Sequence, residues 1–437
     1  MSLALIALLC AVALWFLAIR RPSKRTHPSA ERIEFWWTLS AFAAGMSFPA
    51  LNIASVGSVG SSDLDVAIRL APILAFGFIA VVRSLVTRAR IPASGAWLLL
   101  AFGVLAAQSI QTPSPIVVLS FLLFLPAIVT PSRGYDLQAI LDGSRVGITV
   151  GLVAIAGIAA INGPLVIGAC RLDKCSMWGE SLGPLGTGNA LGLVVAASAA
   201  VSLLTTSSPV RFGVVVMSSY ILVDLTSSRS ALYSWIAAVG IALAYQLSKQ
   251  TGRKFFVTTA AVAAGVVTAS FTFLGWTGLD FTERGALWLY AQRLIEAQPW
   301  FGYGSSFWVR GGGTDGIQLN YSTHNLFLEL LVSFGVVGVG AFVVAVVYAC
   351  RAQCQLESRL FTTALAGVLC VMSITEVFSA PGRPYIMAAF VVFLFIAGAS
   401  AQEPRSGSTR TGTQATADPA DTALGRPSRT RRPRFLQ

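Results

Sequence analysis

The segment Ser322–Leu330 reads Ser-Thr-His-Asn-Leu-Phe-Leu-Glu-Leu and holds one of only two histidines in 437 residues. It stands at the mouth of a long apolar run. Imidazole changes its charge near neutral pH. An ionisable residue at the end of a membrane-length apolar segment is a functional candidate by default. His324 could take a proton from a hydroxyl as a general base, or only orient the group that carries it. The plainer alternative is a helix cap or a residue of the interfacial belt. Asn325 could contact a sugar or cap the helix. Glu329, more than one turn deeper, could hydrogen-bond inside a bundle.

Two arginines belong beside this segment. Arg229 lies in Thr226-Ser-Ser-Arg-Ser-Ala-Leu-Tyr233, at the end of an apolar run, and Arg284 opens a helix in the loop before His324. A guanidinium matches phosphate oxygens with a two-point fork. Helix N-termini add N–H groups and a dipole that favours anions. Together they suit a diphosphate held at a membrane surface. The simpler alternatives are a pair between Arg229 and Asp224, and for Arg284 a pair with Glu283 or a snorkelling side chain. Glu376 and Arg383 read as a structural salt bridge. No Asp-x-Asp metal motif is read on the external face, no His-Glu-x-x-His or Walker loop is present, and no Gly-x-Ser-x-Gly falls in a strand-to-helix context. The expectation is metal-independent chemistry without a cofactor.

The chain that must position these groups is 55% hydrophobic and 11% charged, with a mean hydropathy of +0.71. Soluble domains carry about 25% charged residues, and a membrane span needs about 20 apolar ones. The fold expected is all-α, a polytopic transmembrane bundle of about 12–13 spans. The spans read 2–19, 33–53, 67–83, 93–111, 115–130, 148–169, 187–206, 211–225, 227–247, 255–274, 324–350, 360–378 and 386–401. Lys and Arg gather in 20–32, 83–92, 131–147, 207–211, 248–254, 351–359 and the tail. These regions are cytoplasmic by the positive-inside rule, which puts the N-terminus outside. Basic residues after the first apolar run, rather than before it, argue against a cleaved signal. The net charge of +12 is therefore topology, with no nucleic-acid stripe in it.

Residues 1–401 read as the transmembrane bundle and 402–437 as a disordered, basic cytoplasmic tail. One external loop, about 275–323, is long enough to be functional. Within it Asp280-Phe-Thr-Glu283 can cap an amphipathic helix running to about Gln298. Leu287, Trp288, Ala291, Leu294 and Ile295 fall on one face of it. That helix could lie on the membrane lipid surface or pack across the bundle mouth. Cys170 and Cys175 bracket a short external loop, where they could pair as a disulfide or stay reduced.

These residues resemble a known family. Ser228-Arg-Ser-Ala-Leu232, Arg284-Gly-Ala-Leu-Trp288 and Pro299-x-x-Gly302-x-Gly304 occur in the order seen in the O-antigen ligase and Wzy-type polysaccharide polymerase superfamily. So do Ser322-Thr-His-Asn-Leu-Phe-Leu-Glu329 with Phe334-Gly335 and Gly338, and, upstream, Gly186-Thr-Gly-Asn189. The resemblance covers roughly 180–345 and implies a GT-C-like membrane glycosyltransferase of the inner (plasma) membrane. It implies a polyprenyl-diphosphate-linked glycan donor and a glycan or glycolipid acceptor. Transfer to the acceptor hydroxyl would be inverting, metal-independent and on the extracytoplasmic face. Carried over, Arg229 and Arg284 bind the donor diphosphate and His324 is catalytic. Asn325, Glu329, Trp288, Arg293 and Arg310 are supporting or glycan-contacting candidates. The competing reading is a transporter or flippase of a lipid-linked glycan.

Overall fold

The computed structural model describes residues 2–19, 32–51, 63–109, 115–132, 134–170, 174–183, 188–252, 254–270, 273–277, 280–304, 307, 323–351, 356–374 and 388–399. The expected tail at 402–437 and the Glu376–Arg383 pair lie outside these residues. The helices are α1 (Leu3–Ile19), α2 (Ile33–Leu51), α3 (Asp63–Val86), α4 (Ala93–Ser109), α5 (Pro115–Ile128), α6 (Leu137–Ile161) and α7 (Gly188–Thr205). There follow α8 (Pro209–Leu225), α9 (Arg229–Thr251), α10 (Phe255–Ser270), α11 (Asp280–Ala297), α12 (Leu326–Arg351), α13 (Leu356–Met372) and α14 (Ala388–Gly398). Two short antiparallel pairs join β1 (Ala89–Arg90) to β2 (Thr130–Pro131), and β3 (Ile167–Ala169) to β4 (Glu180–Leu182).

The protein is an all-α polytopic membrane protein. Among the described residues α6, α7, α9 and α12 are long and apolar enough to cross a bilayer, and further apolar helices of 10–17 residues accompany them. Apart from α11, the helices fall on the apolar segments read from the sequence. The sixth segment needs correction: α6 begins at Leu137 and ends at Ile161. Asp136 caps it, its Oδ1 accepting the N–H groups of Gln138 (2.9 Å) and Ala139 (3.3 Å). The polar first turn thus belongs to the helix, with Arg145 bonded to Asp142 at 3.0 Å. Residues 162–169, assigned to that span, form a 3-10 turn and β3 instead.

Contacts between helix ends sort the chain into two ends. Arg32 meets Asp136 at 3.9 Å, Arg83 meets Glu34 at 3.7 Å, and Arg145 Nη2 donates to Thr205 O at 3.2 Å. Gln246 Nε2 reaches Thr206 O at 2.8 Å. These are the loops rich in Lys and Arg. At the other end Met177 N–H donates to Asp224 Oδ2 (3.1 Å). There also Thr268 Oγ1 donates to Cys370 O (2.7 Å) and Asn325 Nδ2 to Ile374 O (3.0 Å).

Close helix packing uses glycine. On α6, Gly143, Gly147 and Gly151 form a small-residue stripe against α2. A Cβ on Gly147 would lie 2.5 Å from Leu39 O and 3.0 Å from Phe42 Cβ, and one on Gly143 would overlap Thr38 Oγ1. Small residues let membrane helices approach this closely. Gly147→Leu should cost ~1–3 kcal/mol or more by overpacking. Gly157→Leu, on the same helix with open space around it, should cost little. Thermal unfolding of the two variants in detergent checks the contrast.

Candidate functional site

His324 stands in a left-handed backbone conformation (φ 52°), one of three non-glycine residues with positive φ among the described residues. Such a conformation costs on the order of 1–3 kcal/mol and persists only where the surroundings enforce it. Its neighbours do so. Asn325 is 1% exposed; its Oδ1 accepts Leu328 N–H at 3.0 Å, which caps α12, and its Nδ2 holds Ile374 O. The residue that caps the helix is therefore Asn325. Leu326 N–H adds a bond to Ser373 O at 2.9 Å, tying the start of α12 to the end of α13. Thr323 is fully buried, and its N–H donates to Glu329 Oε2 at 3.4 Å. The Thr323 hydroxyl lies 2.7 Å from Asn325 O and 3.3 Å from Glu329 Oε2. Glu329, 1% exposed, thus serves the turn from within the bundle. The flanking residues are locked, and the His324 side chain is left partly exposed between them.

The loop helix joins this turn directly. Trp288 Nε1 donates to Thr323 O at 2.7 Å. Trp288 and Ala291 are buried against Leu328 and Val332 of α12, with Leu294, Ile295 and Tyr303 around them. Of the two placements open in sequence, α11 adopts packing on the bundle. Arg284 precedes Trp288 by one turn, about 6 Å along the same face, and is half-buried. Arg293 is exposed and lies about 140° round the helix from Trp288. Asp280 Oδ2 accepts Thr277 N–H at 2.6 Å; the Glu283 side chain and Arg310 lie outside the described residues.

After α11 the chain makes a turn that enters the bundle. α12 breaks at Gly335 (φ 63°, ψ −173°), about 14 Å below its N-terminus. Uninterrupted helix would pair Val332 O with Val336 N–H, and Ser333 O with Val337 N–H. Instead Tyr303 N–H takes Val332 O (2.7 Å) and Gly304 N–H takes Ser333 O (3.0 Å). Pro299 O takes Val336 N–H (2.8 Å) and Trp300 O takes Val337 N–H (3.1 Å). Two lost helical bonds are replaced by four bonds to one turn, as irregular backbone at membrane depth requires. Gln108, at the end of α4, clasps the turn through Gly302 O at 3.0 Å and Phe301 O.

Arg229 lies in a second part of the same end. Ser228 caps α9 by accepting Ala231 N–H at 3.2 Å, and Ser227 before it is left-handed (φ 53°). Gly192 lets α7 close on this turn: a Cβ there would lie 2.5 Å from Thr226 Oγ1 and 2.6 Å from Ala231 Cβ. The β3–β4 hairpin covers the turn, and Cys170 and Cys175 within it are disulfide-bonded. Between them is a cleft of about 190 Å³ lined by Lys174, Cys175, Asp224, Ser227, Ser228 and Arg229. Asp224 and Arg229 share this lining, while Asp224 Oδ2 is taken by Met177 N–H.

The structure therefore brings Trp288 of α11 against the turn that holds His324, Asn325 and Glu329, with Arg284 one helical turn from Trp288. Arg229 faces its own cleft. Sequence reasoning passed over Lys174, whose only signal is its place between two cysteines, and Gln108, whose partners are almost 200 residues distant. The reading that no Asp-x-Asp stands on the external face needs correction, because Asp63-Leu-Asp65 opens α3 beside the segment assigned to that face; its side chains lie outside the described residues. Metal-free chemistry accordingly rests on the family resemblance alone.

No curated protein matches the chain. Residues 191–343 match the family model Wzy_C, O-Antigen ligase. The matched segment runs from the first turn of α7 into α12 and contains Arg229, Arg284 and His324, but neither the disulfide hairpin nor Gln108. Over that segment, about a third of its length, this polytopic membrane chain is similar to the O-antigen ligase family.

Proposed function

We propose that the protein transfers or polymerises a polyprenyl-diphosphate-linked glycan onto an acceptor hydroxyl at the extracytoplasmic face of the plasma membrane. The observation that carries this reading is His324. It is a partly exposed imidazole on a strained backbone beside a buried Thr323–Asn325–Glu329 lattice, and the Thr323 carbonyl is held by Trp288, one turn of α11 from Arg284. The acceptor oxygen attacks the anomeric carbon, and its proton passes to the His324 imidazole. The bond from that carbon to the diphosphate oxygen breaks, and polyprenyl diphosphate leaves with the bonding electrons. Attack opposite the leaving group inverts the anomeric centre. Arg229 and Arg284 neutralise charge on the departing diphosphate. The basic loops at the other end favour a cytoplasmic placement there. The disulfide supports an oxidising compartment on the His324 side.

The test uses purified protein in lipid with a polyprenyl-diphosphate oligosaccharide and candidate acceptors. Released polyprenyl diphosphate and an enlarged glycan are the expected products, and the product's size separates ligation from polymerisation. One observation favours translocation: α12 is discontinuous, and broken helices are what transporters build sites from. Its freed backbone is taken up by the 299–304 turn, which favours the enzyme. Binding without release, with substrate moved across the bilayer, would reverse that judgement.

Arg284→Lys should be nearly as impaired as Arg284→Ala, because an ammonium lacks the planar fork. We expect a loss of ~10-fold or more in turnover for each, by the strength of charged hydrogen bonds. Near-normal turnover by the lysine variant would reduce the contact to a point charge.

A further inference from the structure

The cleft beside Arg229 holds more than the family motif accounts for. Lys174 comes from the hairpin, outside the matched segment. Its position is fixed by short covalent and hydrogen-bonded links. The Cys170–Cys175 disulfide closes a small ring around it. Met177 N–H, two residues beyond, is bonded to Asp224 Oδ2 at 3.1 Å. Ser181 Oγ adds a 3.5 Å bond to Thr226 O, and the Ser176 hydroxyl closes the hairpin on Glu180 O. On the opposite wall Ser227 is left-handed, and its buried hydroxyl has no hydrogen-bond partner among the described residues. It lines the same cleft, directly before the N-terminus of α9. Two cations and one carboxylate leave this lining net positive. The dipole of α9 adds to it, and the carboxylate is engaged by a backbone N–H. A buried hydroxyl without an acceptor costs free energy unless a ligand supplies one.

We propose that Lys174 and Ser227 complete a phosphate cradle with Arg229, and that the Cys170–Cys175 disulfide holds Lys174 in it. This rests on the proposed function for the identity of the anion, the diphosphate of the lipid-linked donor. The cleft then binds that group from two sides, with Arg229 and the end of α9 on one and the hairpin on the other. Affinity for donor depends on the oxidation state of the hairpin.

The experiment measures equilibrium binding of undecaprenyl diphosphate and, separately, of inorganic pyrophosphate to the full chain in nanodiscs, alongside steady-state transfer. Lys174→Ala should weaken diphosphate binding roughly tenfold or more, as loss of a charged hydrogen bond does. It should raise KM for donor by a similar factor and leave kcat little changed. Lys174→Arg should restore most of the affinity. Ser227→Gly keeps the backbone conformation without strain and should fold at least as well as wild type, yet bind more weakly. Dithiothreitol, or Cys170→Ser with Cys175→Ser, should reproduce the Lys174→Ala loss in the wild type and add nothing in the Lys174→Ala background. If transfer is absent but diphosphate binding depends on Lys174 and Ser227, the cradle stands and the glycosyltransferase reading falls. Transfer by a wild type whose diphosphate affinity is indifferent to Lys174 and to reduction overturns the cradle. So does a wild type that binds neither probe.

Discussion

His324→Ala should reduce release of polyprenyl diphosphate by ~10²–10⁴-fold, the range that positioned proton transfer contributes, without loss of folded protein. The argument for intact folding is local. The bonds of Thr323, Asn325, Leu326, Glu329 and Trp288 tie the turn to α11, α12 and α13 from both sides of His324. His324→Gly sharpens the contrast. Glycine adopts positive φ freely, so this variant should be as stable as wild type or more so by ~1 kcal/mol, while activity falls as far as in the alanine variant. A residue kept only for structure would not be improved structurally by deleting its side chain. Thermal unfolding and transfer are measured on the same preparations. A His324→Gly protein that is less stable yet still transfers glycan would remove imidazole from the chemistry.

The fold was legible because membrane spans are written in composition. Every apolar segment read from the sequence carries a helix, and α11 was visible from Leu287, Trp288, Ala291 and Leu294 at helical spacing. The misplaced start of α6 shows where composition stops helping. Asp142 and Arg145 read as loop, yet Asp136 caps the helix and the pair satisfies itself within one turn. The candidate site was legible as residue types in order, since His324, Arg229 and Arg284 are isolated polar groups in an apolar chain. Their surroundings were not. Which side of α11 meets α12, and that Trp288 holds Thr323 rather than lipid, depends on a contact across 35 positions. The Lys174 cleft depends on hairpin β3–β4, whose three-residue strands are too short to leave a period-two pattern.

Gly335→Ala should be among the most destabilising single substitutions in the bundle, on the order of 3–5 kcal/mol, the upper range for backbone and packing violations. Two effects combine. The backbone at Gly335 is at φ 63°, where a Cβ is strained. That Cβ would also overlap Trp300 and Phe301 backbone atoms, which no rotamer change relieves. The turn must then withdraw, leaving Val332 O, Ser333 O, Val336 N–H and Val337 N–H without the partners that replaced their helical bonds. Unsatisfied backbone groups at membrane depth are costly. The control is Gly340→Ala, five residues from the break on the same helix with open space around it. It should be neutral or slightly stabilising, because alanine is the better helix former. Because the turn continues the chain from α11, its displacement also frees the helix that carries Arg284 and Trp288. A detergent-stable remnant of Gly335→Ala should therefore lose transfer together with protection of the 299–304 segment from proteolysis. If Gly335→Ala melts with the Gly340→Ala protein, α12 can run straight through this point. The interlock would then not be what holds α11 against α12.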